Sequence, residues 1–259
     1  MMHDRKALQA GTSHYFGDGF ARAFDIHFTD KNNQQVNPFQ TSWGVSTRLI
    51  GGIIMTHGDN NGLVLPPKIA PVQIALIPIA FHKEGVLDKA HEVADTLRAA
   101  GLRVKTDESE QSPGWKFAEY EMKGVPLRLE LGPKDIENGQ CVMVRRDNGE
   151  KTVVALDEVV QKAQELLEQV HHGMYEKAKK NLTDHIYDAE TLEEAKRLQQ
   201  EHGGFIRTMW CGDVACENRM KEEAGMSSRC IPFAQEKLYD HCAICGRPAK
   251  KMIYWGVAY

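Results

Sequence analysis

TSWGVSTRLIGGIIMTHGDNNGLVLPP, residues 41–67, begins like an exposed strand, turns apolar, and then breaks on glycines, an asparagine pair and two prolines. Arg48 stands where the alternating stretch gives way to the apolar run. Ser42–Arg48 reads as a strand by alternation, whereas Leu49–Thr56 is too short for periodicity to separate helix from strand. Gly51 and Gly52 suggest close backbone packing. Pro66 and Pro67 end the segment, because a proline pair cannot continue a central strand. Upstream, Phe24, Ile26 and Phe28 alternate with Asp25 and His27, which predicts a half-buried strand.

Downstream the pattern is clearer. VQIALIPI, from Val72, is a continuous apolar run of the kind buried on both faces. Leu87, Ala90, Ala94 and Leu97 share one face of a helix expected from about Gly85 to Ala100, with Gly101 as its stop. Leu102–Lys105 is a short strand, and Pro113 opens a second helix at its first turn. Leu127, Leu129 and Leu131 point one way while Arg128 and Glu130 point the other. Two further strands flank Asp147-Asn148-Gly149-Glu150, where Asn-Gly favours a tight hairpin turn. The order β-α-β-α-β-β-β followed by a helix describes an α/β domain with a mixed sheet. From Leu156 to about Gln200 the chain reads as helical, amphipathic and charge-rich, a solvated connector.

Bulk properties exclude some classes. The 259 residues are 42% hydrophobic and 26% charged with net charge −4, and the mean hydropathy is −0.46. There is no apolar stretch of about 18 residues, and MMHDRKALQ lacks an apolar signal core, so neither a membrane span nor a secretion signal is read. The net charge argues against a nonspecific polyanion binder but not against a protein that reads RNA by shape and bases. Of six cysteines, only Cys141 lies outside the Cys211–Cys245 region. Cys211-x4-Cys216, a 25-residue insert and Cys242-x2-Cys245 have the spacing of two thiolate knuckles on tetrahedral zinc. Four thiolates leave no open position, so the metal would be structural. Cys230 is assigned to packing, and His241 is the available substitute ligand.

Four stretches together resemble prolyl-tRNA synthetase of the archaeal and eukaryote-like type with a zinc-binding tail: ALQAGTSHYFGDGFARAF, the segment at 41–67, the cysteine tail, and the closing IYWGVAY. The resemblance runs from about residue 4 to residue 259 and implies a mixed α/β protein in three parts. Residues 1–70 would be the C-terminal part of a class II catalytic core, with part of its antiparallel sheet and the third signature motif. Residues 71–170 would be an anticodon-binding α/β domain with flanking helices. Residues 171–259 would be a helical connector and a small α+β zinc-binding module. In that motif a strand leads into a helix and carries an arginine that contacts ATP phosphates, and Arg48 fits the role, its guanidinium being a fixed fork of donors.

By the same resemblance, Gln9, Ala10, Gly11, Thr12 and Ser46 join Arg48 at the ATP site. His14 faces a proline pocket walled by Trp43, Gly44 and Ser46, and the Tyr259 carboxylate lies near the active site. The implied chemistry is activation of proline by ATP with Mg2+, then transfer to tRNA(Pro). The implied setting is the cytoplasm, with a homodimer in the full-length enzyme and neither DNA nor membrane as a partner. Lys116, Phe117, Lys134 and Arg145 are candidates for reading the anticodon. Residues 103–151 hold nine Lys/Arg against ten Asp/Glu, so no basic stripe supports that choice. Asp59 is read as a turn residue. The family's first two signature motifs have no counterpart in residues 1–40, so the chain reads as a C-terminal piece or a naturally short relative, expected not to activate proline alone. Two alternatives remain open. One is a free-standing tRNA-binding module without catalysis. The other is a related synthetase for glycine, threonine or histidine, against which GTSH and the terminal zinc module speak.

Overall fold

The computed structural model describes residues 1–259 and separates them into two units, Met1–Gly52 with His185–Tyr259, and Ile53–Asp184. The chain starts with strand β1 (Thr12–Gly17), helix α1 (Gly19–Ala23), the two-residue strands β2 (Phe28–Thr29) and β3 (Gln35–Val36), and strand β4 (Gln40–Gly44), followed by helix α2 (Arg48–His57). β1 and β4 form an antiparallel ribbon of two strands, with Thr12 opposite Gly44 and His14 opposite Ser42. The alternation of Phe24, Ile26 and Phe28 does not make the strand that it predicts. The Phe24 and Ile26 amides donate to the Phe20 and Ala21 carbonyls, and Asp25 takes φ +54°. A local turn thus satisfies the donors that a strand would pass to a partner. Arg48 likewise opens α2 rather than ending a strand.

Residues Ile53–Asp184 hold β5 (Ile74–Pro78), α3 (Val86–Ala99), β6 (Val104–Thr106), α4 (Pro113–Met122), β7 (Leu127–Leu131), α5 (Pro133–Glu137), β8 (Gln140–Arg145), β9 (Lys151–Ala155) and α6 (Val159–Thr183). The sheet order is β6-β5-β7-β8-β9, parallel across β6, β5 and β7 and antiparallel from β7 to β9. Ile74 and Leu76 pack with α3 and α6 on one face, while Ala75 and Ile77 pack with Tyr120 of α4 on the other. Burial from both sides explains why β5 is apolar without alternation. The buried stripe of α3 is Val86, Ala90, Val93, Ala94 and Leu97, so Leu87 sits at its margin. Ser112 caps α4 by accepting the Trp115 amide at 3.3 Å, ahead of Pro113. The short α5, which periodicity did not reveal, opens on Pro133, and the Asp135 carboxylate accepts the Gly132 amide. The β8–β9 turn is longer than the two-residue Asn-Gly type. The Arg145 amide donates to Glu150 and the Gly149 amide back to Arg145, with Gly149 at φ +73° and no positive φ at Asn148.

The C-terminal elements are β10 (Ile186–Asp188), α7 (Leu192–His202), β11 (Phe205–Trp210), α8 (Val214–Ala224), β12 (Ser227–Cys230) and β13 (Lys251–Gly256), with sheet order β10-β11-β13-β12. Trp255, Ile206 and Met220 lie in their core. The stretch expected to be helical to Gln200 is interrupted by β10, which runs parallel to β11 and is held there by Asp188 accepting both arms of Arg207 at 2.5 and 2.7 Å. Cys230, expected to pack, is exposed at the end of edge strand β12. No helix is long and apolar enough to cross a membrane.

Candidate functional site

Three places concentrate chemistry. The first is a cleft of about 460 Å³ lined by Gln9, Ala10, Gly11, Thr12, His14, Ser42, Trp43, Gly44, Val45, Ser46 and Arg48. Pairing of β1 with β4 builds its floor, and Gln9 donates to the Thr12 hydroxyl at 2.8 Å. His14 stacks on Phe16, with ring centres 5.1 Å apart. Strand register puts Trp43 opposite Ser13, hence on the other face of the ribbon from His14, and its side chain is exposed. The Ser46 hydroxyl accepts the Arg48 amide at 3.3 Å, at the start of α2. Arg48 is the one fixed cation of the lining, and its guanidinium makes no hydrogen bond or ion pair within the protein. An unpaired guanidinium at a helix N-terminus can receive an anionic group such as a phosphate.

The C-terminal tail runs beside this cleft's first segment. The Ala7 amide donates to Val257 at 2.9 Å, and the Tyr259 amide donates to Ala7 at 3.0 Å. Tyr259 is therefore anchored two residues before Gln9, with its side chain exposed.

The second place is a pocket of about 390 Å³ between α4, β7 and the β8–β9 hairpin, lined by Asn61, Glu121, Arg128, Arg145, Arg146 and Lys151 among others. Of the four base-reading candidates, only Arg145 lies on it, and its guanidinium is held by Asp147 at 2.8 and 3.0 Å. Lys116 is buried and spent internally. It donates to the Asp107 carbonyl at 2.8 Å and lies 5.2 Å above the Phe81 ring. Burial alone would raise the Asp107 carboxyl's pKa. Hydrogen bonds from the Ser109 hydroxyl and amide outweigh that and lower it. Phe117 lies beneath the Arg128 guanidinium at 4.1 Å, which links it to the pocket wall. Lys134 is exposed in the first turn of α5, off the pocket.

Sequence reading missed Arg128 in β7 and Arg146 just past β8, since a lone basic residue in or beside a strand carries no pattern of its own. It also gave Asp59 too small a part. The Asp59 carboxylate accepts both arms of Arg146 at 2.7 and 2.8 Å, and this pairing, against some burial, pulls its pKa from 3.8 to about 2.

The third place is the cysteine cluster. The thiols of Cys211, Cys216, Cys242 and Cys245 all lie within 4.8 Å of one another, with Sγ separations of 3.7 Å for Cys211–Cys216 and 3.8 Å for Cys211–Cys245. Four sulfurs at about 2.3 Å from a tetrahedral zinc would stand about 3.8 Å apart, so the donor set suits that ion. His241 is not part of the cluster. Cys216 sits in the first turn of α8, capped by the Asp213 carboxylate at the Ala215 amide. Gly246, at φ +72°, turns the chain so that its amide reaches the Cys242 carbonyl at 2.9 Å. Arg247 donates to Cys245 Sγ at 3.4 Å and to Asp213 at 2.6 Å. That arginine supplies the positive charge a four-thiolate site needs nearby and the main reason the Cys245 thiol falls to about 6. The Cys216 thiol is pushed up, first by burial.

Two family descriptions match the chain: Anticodon binding domain over residues 73–166, and Prolyl-tRNA synthetase, C-terminal over residues 192–259. Proline–tRNA ligase of Clostridium novyi is 58% identical over 259 residues, all of this chain and 54% of that protein. Proline–tRNA ligase of Lachnospira eligens is 57% identical over the same span and share. Proline–tRNA ligase 2 of Bacillus thuringiensis subsp. konkukian is 56% identical, again over all of this chain and 54% of its own length. The chain thus spans about half the length of the curated relatives it matches.

Proposed function

Because this chain belongs, over its whole length, with the C-terminal portion of the prolyl-tRNA synthetases, we propose that it serves proline–tRNA ligation, the ATP-dependent activation of proline and its transfer to tRNA(Pro). The observation that carries this reading is the cleft at β1, β4 and the start of α2, lined by Gln9–Thr12, His14, Trp43, Gly44, Ser46 and the unpaired Arg48. In this reading Arg48 holds ATP phosphate oxygens, Gln9 and Thr12 hydrogen-bond the nucleotide, and His14 with Gly44 and Ser46 bounds the proline, with Trp43 on the other face of the ribbon. Mg2+ bound with ATP would neutralise phosphate charge as the proline carboxylate attacks the α-phosphorus. Zinc on Cys211, Cys216, Cys242 and Cys245 would fix the module whose tail, ending at Tyr259, lies along Ala7.

The division of labour proposed is catalytic core at 1–70, anticodon domain at 71–170, and connector with zinc module at 171–259. Arg128 over Phe117, held there by Glu130, and the unpaired Lys151 give the anticodon domain a pocket with a stacking surface and a cation for bases and phosphates, while Arg145 and Arg146 are held by Asp147 and Asp59. A pure tRNA-binding module has no evident use for an unpaired arginine at a helix N-terminus, so that alternative is not favoured.

The test is binding of proline tRNA to the purified chain, against the same tRNA with a substituted anticodon. Tighter binding of the native anticodon, by about tenfold or more, supports the reading, and equal binding overturns the anticodon part. Proline-dependent pyrophosphate exchange is expected to be absent for this chain alone, because a single arginine faces a nucleotide carrying several negative charges.

A further inference from the structure

Beside the base-reading pocket, on the other face of α4, an open shelf of about 480 Å³ is lined by Asn60, Asn61, Gly62, Trp115, Ala118, Glu119 and Met122. We propose that this shelf is a second base site, where one unpaired nucleotide of the bound tRNA stacks on Trp115 next to the nucleotides held in the pocket. The inference rests on the tRNA-binding reading above and adds a site to it.

The shelf is built in advance of any ligand. Trp115 lies in the first turn of α4, fixed through its amide by the Ser112 cap, yet the residue is 49% exposed and Met122, two turns on, is 52% exposed. Ala118 and Glu119 fall on the same helix face as Trp115 by spacing of three and four. The opposite wall is the loop Asn60-Asn61-Gly62, which is riveted to α4. The Leu63 amide donates to the Met122 carbonyl at 2.9 Å, and Gly62 takes φ +129°, where a Cβ would stand 2.5 Å from the Met122 carbonyl oxygen. Asn61 donates to Glu121 at 2.9 Å and is turned by Asp59, which is itself clamped on Arg146. Against this fixed frame the Asn60 side chain makes no hydrogen bond. It offers a donor and an acceptor beside an aromatic face, the pair of features a splayed-out base needs.

Three considerations favour a nucleotide over a protein partner. Asn61 lines both the shelf and the pocket, so their occupants are separated by one loop and suit successive nucleotides. The shelf itself carries no free cation, while Lys151, exposed and without an ion pair, stands in the adjoining pocket to meet a phosphate, where Arg128 is held by Glu130 and Arg146 by Asp59. The apolar surface is also narrow, ending at amides and a carboxylate, which fits one ring better than a helix or strand.

The experiment uses the full chain and the anticodon stem–loop of proline tRNA with 2-aminopurine in place of the nucleotide flanking the anticodon, one probe per flank. Quenching of one probe is expected on binding, with loss of that quenching and about 5- to 100-fold weaker binding in Trp115→Ala. Trp115→Phe should keep most of both. Met122→Glu, which places a carboxylate on an exposed shelf position, should weaken binding without shifting the melting temperature, and so guards against a folding artefact. Binding by Trp115→Ala and Met122→Glu equal to that of the parent chain overturns the inference while leaving anticodon discrimination, and so the parent reading, intact. Loss of discrimination in the parent chain itself would instead sink the functional reading. Self-association that depends on Trp115 without RNA, at unchanged RNA affinity, would overturn the base site and assign the shelf to a protein contact.

Discussion

The five-stranded sheet of Ile53–Asp184 and the two-stranded ribbon of β1 and β4 both carry large apolar side chains, yet they treat them in opposite ways. In the sheet, Ile74, Leu76, Leu127 and Leu129 have no exposed surface, because helices cover both faces. In and just before the ribbon's strands, Tyr15, Phe39 and Trp43 are each more than 70% exposed, and Tyr15 stacks only on Phe39, at 6.3 Å between ring centres. α2 carries Leu49, Ile50 and Ile54 and buries none of its residues fully. A two-stranded ribbon has too little neighbouring surface to hide large side chains. The lesson is that apolar composition marks where packing can occur, and layers decide whether it does.

The largest test of this contrast lies in a third kind of anchoring. The C-terminal sheet is small, and its core is joined to four cysteines of which three are buried. Binding of zinc by such a set contributes on the order of 10 kcal/mol to folding at neutral pH. Chelation, or Cys242→Ser, is expected to abolish the structure around Trp210 and Trp255 while the Ile53–Asp184 transition stays within a few degrees. Near-ultraviolet dichroism with metal analysis reads this out. A single transition that moves as a whole would mean that the two units do not melt separately, and the comparison between them would have to be recast.

The sheet can be probed at one side chain. Leu129→Ala removes a side chain with no exposed surface from the centre of β7, opposite Leu76 on β5, and should cost about 3 kcal/mol by urea unfolding. A cost below about 1 kcal/mol would show that the layer collapses around the gap and is less tightly packed than its burial indicates.

Next in size is the Asp59–Arg146 pair, which fixes the loop shared by the pocket and the shelf. Arg146 is nearly buried, and its side chain also donates to the Glu121 carbonyl at 2.7 Å. Arg146→Ala should therefore cost about 2 kcal/mol, less than a fully buried pair would, since the Asp59 side chain is 39% exposed. Because the folded Asp59 pKa is depressed from 3.8 to about 2, its contribution is complete above pH 3.8 and fades as the pH falls toward 2. The parent chain and Arg146→Ala should thus converge in stability below that window. A difference that persists at pH 2 would assign the effect to Arg146 packing instead of its charge.

Legibility followed the same division. β5, α3, the Pro113 start of α4 and the Leu127-Leu129-Leu131 alternation could be read because each satisfies a local rule that the layered core then reinforces. The strand predicted over Phe24–Phe28 failed because alternation presumes a partner to bury one face, and the chain meets its hydrogen bonds in a turn at Asp25. β10 was hidden inside a charge-rich stretch, since its place depends on Arg207, a residue far along the chain. The cleft residues could be named only through the resemblance carried by GTSH and the segment around Arg48, as no spacing rule singles them out. Asp59 and Arg146 escaped because 87 positions separate the partners, and nothing in either neighbourhood announces the other.

The smallest expected effect is also the sharpest test of the contrast. Phe39→Ser removes a large aromatic side chain that is 71% exposed, and surface positions of that kind shift stability by about 0.5 kcal/mol or less. Its stacking on Tyr15 adds little in water, because both rings keep most of their solvent contact. Urea unfolding of the purified chain should therefore hardly distinguish Phe39→Ser from the parent, while Leu129→Ala differs clearly under the same conditions. If Phe39→Ser instead cost about 2 kcal/mol, the ribbon's aromatic face would have to be covered in solution. Repeating the measurement at tenfold lower protein concentration would then show whether the cover comes from another copy of the chain, since only an intermolecular contact weakens on dilution.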